Sequence, residues 1–420
     1  MYTIIMMKLV LYYLVCIGLV SVAATCFAEK PPLLALSIDS DMIIQPYTNR
    51  SIGEFSLQGY DVFSYLYWVT DQKLSLFYRP AGITFRAFLT GLLQYNYHFG
   101  LLLGLGYHEL GHGTRASALG YDVSYSTEVS ERHYFSESYY GLLKDLFNYS
   151  STVTGAYTHY GKGSAVHPSI SLADSDLIIS AGGVNNEMYL AKLIEDRFYS
   201  RGITSVYDFF HYLYPKLGVY HYASYEKKDP QFQGDLSHVR SFYKSKYNFM
   251  LSYDDFKRFN GYAILLSSSF WAFIDGWSRY VVKGFDYIHS YEAFNFRLPD
   301  VNLFLTSHGP SYHVQSGYRF SNRLLLPFAI EYVFLGDKQL EYTFGLERSW
   351  MNRFKTYSEL RLGYAVGLSQ SLEYAISSRW RIALGVAFHH FNNLYGERHI
   401  KTLVNGPYDS DSWFNLQYRL

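Results

Sequence analysis

Beyond about Arg297 the chain alternates apolar and polar residues with a period of two. Leu340, Tyr342, Phe344 and Leu346 fall on one face, with Gln339, Glu341, Thr343, Gly345 and Glu347 on the other. The same rhythm runs through Leu326, Phe328, Ile330, Tyr332 and Phe334, then Leu360, Leu362, Tyr364 and Val366, then Ile382, Leu384, Val386 and Phe388, and finally Phe414, Leu416, Tyr418 and Leu420. Period two predicts strands with one dry and one wet face. About eight are expected, near 301–307, 312–320, 324–334, 339–348, 357–367, 371–377, 380–391 and 412–420. Turn residues separate several of them, including Ser321-Asn322-Arg323, Gly336-Asp337 and Asn392-Asn393. Residues 298–420 are therefore read as an antiparallel, barrel-like β domain. Its apolar face meets either lipid, as in a transmembrane barrel, or a protein core, as in a soluble sheet.

Upstream, the period is helical. Ala87 to Tyr107 carries no charge and reaches the length of a membrane span, yet it contains Thr90, Gln94, Asn96 and His98, which make insertion marginal. Helical pattern resumes over Leu172–Phe198 and over Tyr262–Val282. Residues 121–170, polar and rich in Tyr, Ser and His, read as a surface excursion. Residues 29–85, punctuated by Pro31-Pro32 and Pro80, remain unassigned. The fold class is thus α+β, with a helical domain over 86–297 preceding the strand domain over 298–420.

The N-terminus reads as a signal peptide over 1–28. Lys8 precedes the apolar run Leu9–Ala24, and Cys26-Phe27-Ala28 precedes the polar pair Glu29-Lys30. Both cysteines, Cys16 and Cys26, lie within it, so cleavage leaves no thiol for disulfides or metal ligation. Among the 420 residues aromatics reach 19%, with 44 Tyr and 31 Phe, side chains suited to a boundary between apolar and wet surroundings. Charge is balanced at 36 Lys+Arg against 36 Asp+Glu, which argues against a nucleic-acid partner.

Chemistry concentrates in His108-Glu109-Leu110-Gly111-His112. Residues four apart share one helix face, so both imidazoles can address one Zn²⁺. Zinc lowers the pKa of bound water to about 7, and the neighbouring Glu109 is placed to take its proton as general base. The expected reaction is peptide hydrolysis by zinc-activated water.

The motif continues as Gly113-Thr114-Arg115-Ala116, with Gly120 and Val123 beyond, and in this it resembles the site-2 protease family of membrane zinc metalloproteases. Ala181-Gly182-Gly183-Val184-Asn185-Asn186 is similar to that family's Gly-Pro-x-x-Asn element, and Phe273-Ile274-Asp275-Gly276 to its Leu-Asp-Gly element. The resemblance implies Asp275 as third zinc ligand and Asn186 as a catalytic residue beside the metal. Glu187 is the rival third ligand, on the pattern of thermolysin-like zinc peptidases. Asp275 can instead pair with Arg279 one turn on, and Asn186 can be an interior amide. The C-terminal strands resemble bacterial outer-membrane β-barrels.

These features lead to a zinc metallopeptidase of the bacterial cell envelope, with the outer membrane favoured, acting on peptide or envelope-protein substrates in contact with membrane lipid. The alternatives are a polytopic inner-membrane site-2-type protease with a soluble C-terminal sheet, or a non-enzymatic outer-membrane barrel serving as adhesin or pore.

Overall fold

The computed structural model describes residues 35–39, 49–78, 82, 85–87, 98–130, 132–149, 152–161, 170–229, 233–350, 353–363, 366–390 and 408–419. The signal peptide expected over 1–28, and most of the apolar stretch expected to be helical before His98, lie outside these residues. Strand β1 (Ala35–Asp39) is followed by helices α1 (Asn49–Tyr78) and α2 (His98–Ala118). The expected surface excursion is instead ordered as β2 (Asp122–Val129), β3 (Arg132–Ser136), α3 (Tyr139–Asn148) and β4 (Val153–Gly161). These strands form a sheet in the order β3-β2-β4.

The helical pattern over 172–198 resolves into α4 (Leu172–Ser180) and α5 (Gly182–Arg201). Ser171 caps α4 by accepting the Asp174 amide at 3.0 Å, and Gly202 ends α5 in the left-handed conformation. Short β5 (Ile203–Ser205), α6 (Phe209–Lys216), α7 (Gly218–Lys228) and α8 (Asp235–Tyr247) follow. The last helical pattern becomes α9 (Tyr253–Leu265) and α10 (Ser268–Lys283), with Ser252 and Asp255 forming a capping box at the start of α9. Among the described residues no helix is long and apolar enough to cross a membrane.

After β6 (Tyr287–His289) and β7 (Glu292–Ala293), eight long strands complete the chain: β8 (Phe296–Thr306), β9 (Gly309–Ser321), β10 (Leu324–Val333), β11 (Leu340–Trp350), β12 (Phe354–Leu362), β13 (Val366–Ala375), β14 (Trp380–His390) and β15 (Tyr408–Arg419). Each pairs antiparallel with the next, and β1 adds beside β15. The alternation located these strands closely. Boundaries differ: β8, β13 and β15 begin four or five residues before their expected starts, and Val366 opens β13 instead of continuing the strand of Leu360 and Leu362, because the chain turns around Gly363.

The orientation of the two faces decides between lipid and core. Phe328, Phe344, Leu360, Leu368 and Phe388 form one cross-strand row. Of these, Phe344 is 51%, Leu368 50% and Phe388 51% exposed. The polar face points inward: Glu331 is 1%, Glu341 3% and Arg361 3% exposed. The apolar side of the sheet is therefore the outer surface, and the arrangement expected of a soluble sheet, apolar face against a core, is reversed. Between the polar face and helices α1 and α5 lies a cavity of about 780 Å³ lined by Asp61, Arg197, Arg323, Lys355, Glu373 and Arg381, among others.

The sheet is not closed into a barrel. Its edges are β1 on one side and β7 with β8 on the other, and among the described residues these do not pair. An unpaired edge leaves backbone donors and acceptors to satisfy. On β8 the helical domain supplies them. The Asn185 side chain accepts from the Leu305 amide at 2.9 Å and donates to its carbonyl at 2.8 Å. Ser267 accepts from the Val301 amide at 3.0 Å, buried Lys216 donates to the Val301 carbonyl at 2.7 Å, and Tyr243 donates to Thr306 at 3.0 Å. Helices thus stand where a closing strand would. The core is shared as well: Val219, Leu236, Val239 and Phe256 of the helices cluster with Val301, Leu303, Phe304 and Leu305 of β8.

Candidate metal centre

His108 and His112 lie one turn apart on α2, a helix whose burial comes from close crossing with α5. At the crossing a Cβ on Gly111 would stand 2.3 Å from the Gly182 carbonyl oxygen. A Cβ on Gly183 would stand 2.3 Å from His108 Nε2. Glycine at these positions is what lets α5 approach and leaves space beside the imidazole. The residues that looked like a Gly-Gly-x-x-Asn element therefore do pack against the His-Glu-x-x-His turn.

His108 Nε2 and His112 Nε2 are 3.2 Å apart. Asp235 Oδ2, from the first turn of α8, lies 3.0 Å from the former and 3.1 Å from the latter. The opposite ring nitrogens face acceptors: His108 Nδ1 is 3.0 Å from Glu187 Oε1, and His112 Nδ1 is 2.6 Å from the Ile179 carbonyl. The Ile179 carbonyl only accepts, so His112 Nδ1 carries a proton, and the Glu187 carboxylate draws one to His108 Nδ1 in the same way. Both Nε2 atoms then face the Asp235 carboxylate, and what lies between the three is a proton on Nε2 or a metal ion in its place. A tetrahedral zinc with bonds of about 2.0–2.2 Å would hold its ligand atoms roughly 3.4 Å apart, so the observed triangle needs to open only slightly.

The electrostatics agree. Burial alone would push both imidazoles down, but the Asp235 and Glu187 contacts hold His108 well above its ordinary value, and Asp235 holds His112 up. Burial would push Asp235 upward, yet His112 and His108 hold its carboxyl well below the usual range. The site favours added positive charge. Glu109 is buried on the same turn, and burial raises it against the pull of His112 and His108. Thr158 of β4 fixes it, donating to Glu109 Oε2 and lying 2.8 Å from both that atom and the Glu109 carbonyl.

The chain matches no protein-family model and no curated protein. Among the described residues the grouping able to hold a metal is His108, His112 and Asp235. Asp275 is not brought into it. Its carboxylate pairs with Arg279 at 2.8 Å on α10, half exposed, as the four-residue spacing allowed. Glu187 enters not as a direct member but behind His108, on the far ring nitrogen. Asn186 is fully buried and donates to the Tyr107 carbonyl at 2.8 Å, tying α5 to α2. Asp235 escaped the sequence reading because it belongs to no motif. Its only local signal is an acidic residue after Gly234 at the head of the apolar repeat Leu236, Val239 and Tyr243.

Proposed function

We propose that the chain is a zinc-dependent metallopeptidase of the bacterial cell envelope, with His108, His112 and Asp235 as metal ligands and Glu109 as general base. The observation that carries this reading is the convergence of His108 Nε2, His112 Nε2 and Asp235 Oδ2 within 3.2 Å of one another beside a buried glutamate. Two imidazoles and one carboxylate leave a fourth position open, the pattern of catalytic zinc. Zinc, when bound, supplies a Lewis acid that lowers the pKa of water and polarises a carbonyl. Glu109 holds a proton acceptor at the site, with Thr158 fixing one oxygen, and can pass the proton to a leaving amine. Glu187 and Ile179 keep the two imidazoles in one tautomer and one orientation. Strand β4, outermost in its sheet among the described residues, offers an extended peptide a backbone edge next to Thr158.

The envelope setting is supported by the outward apolar face of the sheet. That face is uncharged over β11 to β14 apart from Arg348, which stacks on Trp350. At the end of β9 and β11 and the start of β12 and β14 it is bordered by Phe320, Trp350, Phe354 and Trp380, with Phe354 against Tyr374 at 4.6 Å and Trp380 against Tyr418 at 4.8 Å. Aromatic rings at that level suit a membrane–water boundary.

The test is zinc content together with hydrolysis of casein by the purified protein. Native protein should hold one zinc per chain and release peptides. Glu109→Gln should keep the metal and lose roughly 10²–10⁴ in rate. A native protein that stays metal-free in excess zinc, or a Glu109→Gln variant of undiminished activity, overturns the proposal.

A further inference from the structure

We infer that helix α7 is the positioning element of the metal centre, acting through Gly218, Tyr222 and Glu226; the inference rests on the metal reading above. These residues are spaced by four, so they form a single stripe along the helix. Each meets a different part of the site. At Gly218 an added Cβ would stand 1.7 Å from Glu187 Oε2, so the missing side chain is what gives the Glu187 carboxylate its place behind His108. One turn on, the Tyr222 ring lies flat on the His108 imidazole, 4.9 Å between centroids and 12° between planes. A further turn on, the fully buried Glu226 accepts the Leu236 amide at 2.8 Å.

The last contact matters because of where Asp235 sits. It is the first residue of α8, and the preceding Gly234 offers no side chain to cap the helix. The first amides of a helix need outside acceptors. Glu226 provides one to the residue next to Asp235, and so fixes the turn that carries the carboxylate ligand. The opposite side of α7 packs on α9 and exposes Lys227, which pairs with Asp254. One stripe of one helix thus fixes the ligand orienter, one imidazole and the start of the helix bearing the carboxylate. None of the three residues belongs to a motif.

Zinc affinity, measured by competition with a chromophoric chelator, tests this. Glu226→Leu and Gly218→Ala should each weaken zinc binding about 10–100-fold, the usual cost of losing a group that orients metal ligands. Glu226→Gln keeps an oxygen for the Leu236 amide and should bind zinc much as the native chain does. Lys227→Ala should change nothing. Circular dichroism of the chelated proteins controls for folding, and if Glu226→Leu fails to fold, Tyr222→Leu and Gly218→Ala carry the decision. Native-like affinity in Glu226→Leu, Tyr222→Leu and Gly218→Ala overturns the role of α7 while leaving the metal centre standing. No zinc on the native chain overturns the metal centre, and this inference with it.

Discussion

At the scale of single residues, the proposed metal centre depends on atoms oriented by their neighbours. Glu187 and the Ile179 carbonyl engage the Nδ1 side of each ring, which turns both Nε2 atoms toward Asp235. We therefore expect Asp235→Ala to lose its zinc, Glu187→Gln to bind it about 10–100-fold more weakly, and Asp275→Ala to retain it, as read by metal analysis after dialysis. The His pair was legible in the sequence because helical spacing alone brings the two rings together. The proposed third ligand was not, since nothing local distinguishes Asp235 from any other acidic residue. Asp275 stood in a suggestive Asp-Gly pair, but Arg279 one turn away satisfies it. A buried histidine outside the candidate metal centre gives a prediction about pH. His211 stacks on Tyr60 and lies 3.2 Å from Ser64 Oγ; burial, against the attraction of Asp208, pushes it down to about 4. Above pH about 6.5 the ring is neutral folded or unfolded, and its contribution is intact. Below that the unfolded chain takes the proton first, so stability falls as pH drops from about 6.5 toward 4. Asp61, raised to about 6, titrates in the opposite sense, losing stability as pH rises from about 3.8 to 6. The difference in urea midpoint between native chain and His211→Gln, followed from pH 7.5 to 5, isolates the histidine. It should shrink with acidity, and a constant difference would count against the assignment.

Between elements, two contacts hold the architecture. The first is the crossing of α2 and α5 at Gly111, Gly182 and Gly183. Gly183→Ala should expel zinc while leaving most of the helix content, because the new methyl competes with the metal for the space beside His108. Retained zinc in that variant would mean α5 can shift away. The second is the capping of β8 by side chains. Asn185→Leu removes both bonds to Leu305 and strands two buried backbone groups, at a cost of about 2–4 kcal/mol in chemical unfolding. The strands themselves were legible because period two survives any context that dries one face. The three-stranded sheet of 122–161 was not. Its short strands lie against α2 and α3 and alternate too briefly to stand out from a polar loop.

Across the whole molecule, alternation fixes that a sheet has two unlike faces but not which one looks inward. Here the helical domain takes the polar face, and its own charged and hydrogen-bonding groups make that pairing favourable. Asn302 and Gln315 of the sheet donate to Glu195 of α5, and Arg319 donates to the Tyr199 carbonyl. The apolar face is left outside. If lipid covers it, Leu368→Arg should cost about 2–4 kcal/mol in urea unfolding from dilauroylphosphatidylcholine vesicles. A wet face would register about 0.5 kcal/mol or less, and that result would remove the membrane from the picture.

The pairing of β1 with β15 has a consequence for how the chain reaches this state. Ala35 meets Arg419 and Asp39 meets Asn415, so the outermost ladder joins segments from opposite ends of the sequence. Neighbouring strands from β8 to β14 can zip together as soon as each hairpin emerges, at small loop-closure cost. The final seam has to wait until β15 has been made, and the early segment must be kept from pairing elsewhere in the meantime. Refolding should accordingly show a fast phase for the meander and a slower one for the seam, with a fluorophore placed on each side of it reporting only the second.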